Sequence, residues 1–323
     1  MNIEKAKCLI KKLAKIDSQS GREKELSEFL VSYLKRLGYS PKIDEVGNVV
    51  VDFKKDLWVT AHLDTVERVS DFREMGNLCF GTGVADDKAS IAAILLALEK
   101  AAFNCVFFVD EEETGIGSQH FAEVRKPSKA IVMEPTELKI CSKHWGVFEF
   151  QVDVVGEKSH ASMPKKNAIE LAIELINKLK VKGKLNLLGI WSKPENIYVT
   201  PYLCTVKMEY LISSGFVSKL IFETLEIAEK YGKVKILEVA DPFESILVHK
   251  ILEKAVILAG IEPETGYMPS WTDAVNLNKK GWDTVVFGPG NLENCHTERE
   301  YVDVRDVVLA SRVLENLRKI YNV

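Results

Sequence analysis

The chain predicts an α/β protein whose sheet-and-helix body is interrupted by a two-layer α+β insert. Three observations support this. Short apolar runs of buried-strand type alternate with helix-period segments at both ends of the chain. Several of these runs stop abruptly at a histidine or an acid. Between residues 147 and 240 the pattern changes to strand, helix, strands, helix, strand, a set complete in itself. With 323 residues, 46% of them hydrophobic, the chain can bury a large core and suggests two domains. The expected division is a body of residues 1–146 and 241–323 around an insert of residues 147–240.

Taken in order, residues 3–16 and 22–37 repeat apolar residues at helical spacing, with Gly38 as a stop. GNVVVDF and LWVTA read as adjacent strands, the second delivering His62 at its C-terminal end. Gly81 to Ala102 is a glycine-bearing turn followed by a strongly apolar helix. Its GTG lacks the lysine and third glycine of a phosphate loop. Asp86 and Asp87 precede that helix, where they either cap it or aim a carboxylate at a cation. NCVFFV ends in the acids Asp110 to Glu113, and KAIVM ends at Glu134. Open α/β sheets place their ligands at such C-terminal strand ends.

In the insert, GVFEFQVDVVG alternates, Asn167 to Leu179 and Val217 to Tyr231 read as amphipathic helices, and Tyr198 to Leu211 and KVKILEV as strands. A helix from Glu244 to Ala259, the segment WTDAVNLNKKG, a strand in DTVVFGPG and the loop NLENCHTERE follow. Asp303 caps the last helix.

A formal charge of −4 gives no general attraction to nucleic acid. No run approaches the roughly 20 apolar residues of a membrane helix. The first residues are too regularly charged for a secretory signal. Six cysteines without a CxxC fit a reduced, cytoplasmic protein, and only Cys295, beside His296, invites attention as a ligand or reactive thiol.

His62, Asp86, an acid of the Asp110–Glu113 run, Glu134 and His296 offer an N/O ligand set suited to zinc, with cobalt or manganese as alternatives. Asp64, two residues from His62, can orient its imidazole. Three carboxylates and two imidazoles match a pair of divalent ions sharing a bridging acid, with a further Glu as base.

The motifs HLDTV, GTGVADDK, DEEETGIGS, MEPTELKICSKHWG, GEKSHAS and FGPGNLENCHTERE, in this order, resemble the zinc aminoacylase and carboxypeptidase G metallopeptidase family. The similarity is greatest to acetylornithine deacetylase and the carrier-protein-linked lysine and ornithine hydrolases. This resemblance implies a zinc-peptidase-like α/β/α catalytic domain with a mixed central sheet, and an inserted lid that also forms a homodimer. It implies two divalent ions, zinc or alternatively cobalt, held by His62, Asp86, Glu112, Glu134 and His296. Asp86 would bridge them, with its peptide to Asp87 cis. Glu111 would be the general base, Asp64 would orient His62, and His160 of the lid would stabilise the oxyanion. A shifted register would make Glu112 the base and Glu113 the ligand.

The resemblance further implies hydrolysis of a linear amide, releasing lysine or ornithine from an N-acyl group or an acidic amino-group carrier protein. Dipeptidase, carboxypeptidase and succinyl-diaminopimelate desuccinylase activities are the alternatives within the family, and a metal-free binding protein is the alternative outside it. One departure stands out: relatives end a lid strand with Asp-x-Arg, whereas Glu209, Tyr210 and Leu211 stand here. The insert carries a net charge of +2, leaving −6 for the remainder. Lys178, Lys180, Lys182, Lys184 and Lys193 fall in an acid-free stretch, either a solvated face or a docking patch for an acidic carrier.

Overall fold

The computed structural model describes residues 3–195, 197–215 and 217–321. They form two compact units: Met1–Lys143 with Glu244–Met268 and Thr272–Val323, and His144–Phe243 with Pro269–Trp271. The fold class is the expected one, α/β with a mixed central sheet and a separate small antiparallel sheet.

The larger unit is built on a nine-stranded sheet. Its centre is a row of four parallel strands, in spatial order Asn104–Phe108, Leu57–His62, Lys129–Val132 and Asp283–Val286. Antiparallel strands flank the row on either side, Val49–Val51 beside Asn104–Phe108 and Ile140–His144 beside Asp283–Val286. All six residues of Leu57–His62 are buried, so the strand reads as a continuous apolar run without alternation. The helix Lys88–Leu98 is likewise buried at all eleven positions, which explains its lack of a polar stripe. It shares one apolar core with the helices Ile3–Lys15, Lys24–Arg36, Val248–Leu258 and Val304–Tyr321.

The smaller unit has a four-stranded antiparallel sheet in the order Leu185–Lys193, Leu203–Ile212, Gly146–Val155, Gly232–Ala240. Alternate residues of its strands, among them Phe148, Phe150, Val152, Cys204, Val206 and Met208, join the helices Ala168–Lys180 and Val217–Ala228 in a second core. The residues between them, such as Glu149, Asp153, Thr205 and Lys207, form the other face, where Lys207 pairs with Glu149 at 2.7 Å and Thr205 with Asp153 at 2.8 Å. Asn167 caps the first helix by accepting the N–H of Ile169.

Two local expectations are corrected, and one strand that the sequence reading did not assign is added. Leu185–Lys193 is an edge strand, although its glycine and half-exposed apolar residues hide the period of two. The stretch expected as a strand from Tyr198 pairs continuously only from Leu203. The helix expected from Glu244 begins at Val248, because the carboxylate of Asp283 accepts the N–H groups of Ile246, Leu247 and Val248 at 2.7–3.0 Å. A cap supplied from 35 residues away leaves no local signature.

Candidate metal centre

The parallel strands deliver their chemistry at one edge. His62 is the last residue of Leu57–His62 and lies level with Phe108, so the acidic segment 110–113 emerges beside it. Glu134 follows Lys129–Val132, the strand next to Leu57–His62 on the other side. Asp86 and Asp87 precede the buried helix. Asp87 stands at its N-cap position but makes no side-chain cap bond; its Oδ2 instead accepts the backbone N–H of His62 at 3.3 Å. The Asp86–Asp87 peptide is cis.

Asp86 lies between the two imidazoles, with Oδ1 2.9 Å from His62 Nε2 and Oδ2 3.3 Å from His296 Nε2. Glu112 Oε1 lies 2.9 Å from the same His296 nitrogen. Ligand atoms of His62, Asp86 and Glu112 all fall within 4.8 Å of one another. On the far side of the His62 ring, Nδ1 faces Asp64 Oδ1 at 3.4 Å, a close ionic contact outside hydrogen-bond geometry. Asp64 in turn accepts the Ser20 hydroxyl at 2.8 Å and the backbone N–H groups of Glu111 and Glu112 at 3.0 Å each. One buried carboxylate therefore orients the imidazole and also fixes the loop that carries the acid pair.

That loop turns at Asp110, whose φ is +58°, and closes with Gly115, whose N–H donates to the Asp110 carbonyl at 2.6 Å. Gly117 is required by close approach, since a Cβ there would stand 2.5 Å from the Val109 carbonyl oxygen. Glu113 is exposed, while Glu111 and Glu112 turn inward.

The electrostatics describe a site short of positive charge. Burial raises the pKa of Glu111 well above the ordinary carboxylate range, and the charges of Glu112, Asp273 and Asp64 add to the shift, against the opposing His62. Burial also raises Glu134, helped by the charges of Glu111, Asp86 and Asp87. For Glu112, burial and Asp86 outweigh the favourable contact with His296. His62 moves the other way: burial would depress it, but Asp64 and Asp86 hold it well above its usual value. The Asp86 and Glu112 carboxylates raise His296 to about 10.

Glu134 is 4% exposed, and its Oε1 is buried without a hydrogen-bond partner. An unpaired carboxylate oxygen beside crowded acids and two imidazoles is the donor set a pair of divalent cations would satisfy. The residues present therefore fit metal binding.

Three contributors were given no role by the sequence reading. Glu300, fully buried, accepts the N–H groups of Gly83, Ala85 and Asp86 at 2.9–3.2 Å and anchors the segment that presents Asp86. Its only sequence signal is its place in HTERE. Asp273 is 1% exposed, with Oδ1 unpartnered, and burial raises its pKa to about 7. Ser20 on the first interhelical loop had no signal at all.

His160, by contrast, belongs to the smaller unit and is exposed. Its Nδ1 accepts the N–H of Ser162 at 3.2 Å, an arrangement that places the ring proton on Nε2. Cys295 is buried, with its thiol 3.4 Å from the Asn291 carbonyl oxygen, and burial raises its pKa far above the reactive range.

A sequence model described as Peptidase family M20/M25/M40 matches residues 58–319. An uncharacterized metallohydrolase of Methanocaldococcus jannaschii is 28% identical, with 97% of each chain covered. A putative [LysW]-lysine/[LysW]-ornithine hydrolase of Pyrobaculum aerophilum is 24% identical over 95% of each chain. An acetylornithine deacetylase of Buchnera aphidicola is 27% identical over 83% of this chain and 77% of its own. Among solved structures, a tripeptidase from Staphylococcus aureus superposes with a TM-score of 0.85 at 20% identity, each chain covered in full.

Proposed function

Because the chain belongs to peptidase family M20/M25/M40, and is thereby a metallohydrolase, we propose that it is a deacylase releasing lysine or ornithine from an N-acyl or carrier-protein conjugate. The observation that carries the reading is the placement of Glu111, half-buried, with its backbone N–H held by the same Asp64 that faces the His62 ring. Divalent ions held by His62, Asp86, Glu112, Glu134 and His296, zinc in the first instance, would acidify a water and offset charge building on the substrate carbonyl oxygen.

The protein's own groups supply the remainder. Glu111 takes a proton from the attacking water onto its carboxylate as the C–O bond forms and the carbonyl oxygen becomes an oxyanion, then returns that proton to the amine nitrogen as the C–N bond breaks and the carbonyl re-forms. Asp64 keeps the His62 ring aligned throughout. His160, through its Nε2–H, is the proposed donor to the oxyanion.

Support for the substrate class comes from the names of the relatives, which include lysine/ornithine hydrolases and an acetylornithine deacetylase. The tripeptidase likeness supports the fold alone. Lid charge supports carrier docking only in part, since Lys178 is paired with Glu174 at 2.7 Å and Lys182 with Glu223 at 3.1 Å. Glu209 bonds Asn186 at 2.9 Å, and no arginine stands at Leu211, so the substrate carboxylate needs a different partner. The proposed homodimer would use the edge strand Leu185–Lys193, on which Leu187, Leu188, Ile190 and Trp191 are about half exposed. The six free cysteines suit a cytoplasmic setting.

Zinc-loaded protein is expected to cleave Nα-acetyl-ornithine, Nα-acetyl-lysine or a γ-glutamyl conjugate of these amino acids faster than dipeptides. Dipeptides turning over clearly faster would replace the deacylase reading with a peptidase one.

A further inference from the structure

The loop that carries Glu111 and Glu112 runs from Val109, just after the strand Asn104–Phe108, to Gly117 in the first turn of the helix Ile116–Val124. Asp64 holds its middle by two backbone N–H groups. Its two ends are tied together by a residue from another strand. Asn48 precedes Val49–Val51, whose register sets Val49 opposite Phe107 and so brings residue 48 to the end of the strand that feeds the loop. The Asn48 side chain is fully buried and bridges the two stems: Oδ1 accepts the Val109 N–H at 3.0 Å, and Nδ2 donates to the Gly117 carbonyl at 2.9 Å.

The bridge is itself held. The other Nδ2 hydrogen goes to Asp44 Oδ2 at 2.8 Å, while Asp44 Oδ1 accepts the N–H groups of Val46, Gly47 and Asn48 at 2.9–3.1 Å. Both amide hydrogens and the amide oxygen of Asn48 are therefore engaged. The approach is close enough that a Cβ on Gly117 would stand 2.6 Å from Asn48 Oδ1. A buried polar network satisfied in this way rigidifies what it joins. Glu112 has a further support, since His296 lies 2.9 Å from its carboxylate, so slack in the loop would be felt first at Glu111.

We propose that Asn48 is a positioning residue for the hydrolysis: by tying both ends of the acid-bearing loop, it sets where the Glu111 carboxylate meets the attacking water. This role rests on the reading of Glu111 as general base. It acts through the backbone alone, and Asn48 itself does not touch the substrate.

Two variants loosen the bridge by different routes, and either suffices for the test. Asn48→Ser is too short to reach the stems, whereas Gly117→Ala keeps Asn48 and forces the stems apart. Each is assayed alone and combined with Glu111→Gln, at saturating zinc, on whichever amide the wild-type protein hydrolyses fastest, with the fold checked by circular dichroism. Each single variant is expected to lower kcat about 10–100-fold, with KM within about threefold and zinc content at the wild-type value. Added to Glu111→Gln, either should cost less than about a further threefold, because the group it positions is already gone. An equal loss with and without Glu111 would show a merely structural role and overturn the proposal. An unchanged kcat in the single variants would also overturn it, as would a fall in bound zinc that accounts for the lost turnover, which would place the effect on Glu112. Full turnover by Glu111→Gln is a different result, removing the general-base reading and the positioning role together.

Discussion

The two units handle polar groups in opposite ways. The smaller one follows the ordinary rule of an amphipathic sheet: apolar residues alternate into the core, while Glu149, Asp153 and Lys207 pair on the open face. The larger one draws His62, Asp64, Asp86, Asp87 and Glu134 into positions less than 7% exposed, where Asp87 accepts the backbone N–H of His62 and Asp64 those of Glu111 and Glu112. The contrast teaches that one unit's sequence is spent on stability, whereas the other tolerates crowded buried charge that only a function would retain. Substitutions in the smaller unit's apolar core should therefore cost folding, whereas those among the larger unit's buried charges should cost activity.

The largest expected effect is on turnover. Glu111→Gln should lower kcat by about 10²–10⁴-fold while zinc content, measured by mass spectrometry, stays at the wild-type value. Loss of metal instead would assign the base to Glu112. In the smaller unit, Phe150→Ala removes a ring stacked on Phe148 at 4.6 Å and should cost about 3–5 kcal/mol in denaturant unfolding. A cost below about 1 kcal/mol would show that this core is not what holds the unit together.

His144 sharpens the contrast through pH. Burial lowers its pKa to about 4 from the ordinary 6.5, against a weaker opposing bond to the Trp145 carbonyl, and its ring stacks on Phe243 at 4.8 Å. The unfolded chain takes up a proton that the folded chain refuses. The stability is thus fully present above about pH 6.5 and is lost as pH falls towards 4, by about 3 kcal/mol. His144→Phe should flatten stability across that window, and an unchanged acid slope would refute the assignment. The smallest effect expected is for Glu300→Gln, which weakens the anchor of the Asp86 segment and should reduce zinc affinity about 10–100-fold with little change in fold by circular dichroism.

How much of this was legible in the sequence depended on whether the signal was local. His62 and Glu134 stand where apolar runs stop, and the acid pair follows a buried strand, so their shared edge could be inferred from strand ends alone. Which two of the four acids turn inward could not, because the answer lies in backbone N–H groups reaching Asp64 from Glu111 and Glu112. Glu300 and Asp273 were hidden for a similar reason: burial, not residue type, distinguishes them from surface charge. The edge strand Leu185–Lys193 and the short antiparallel pair Arg73–Met75 and Leu78–Phe80 were missed because exposed edges carry weak alternation.

The central claim is that distant acids and imidazoles converge to hold a pair of cations with Asp86 between them. Anomalous diffraction at the zinc edge, from crystals of the zinc-loaded protein, measures this most directly. Two peaks about 3.5–4 Å apart, one beside His62 and one beside His296, are expected, with Asp86 reaching both. Peaks elsewhere, or none near Asp86, would contradict the account.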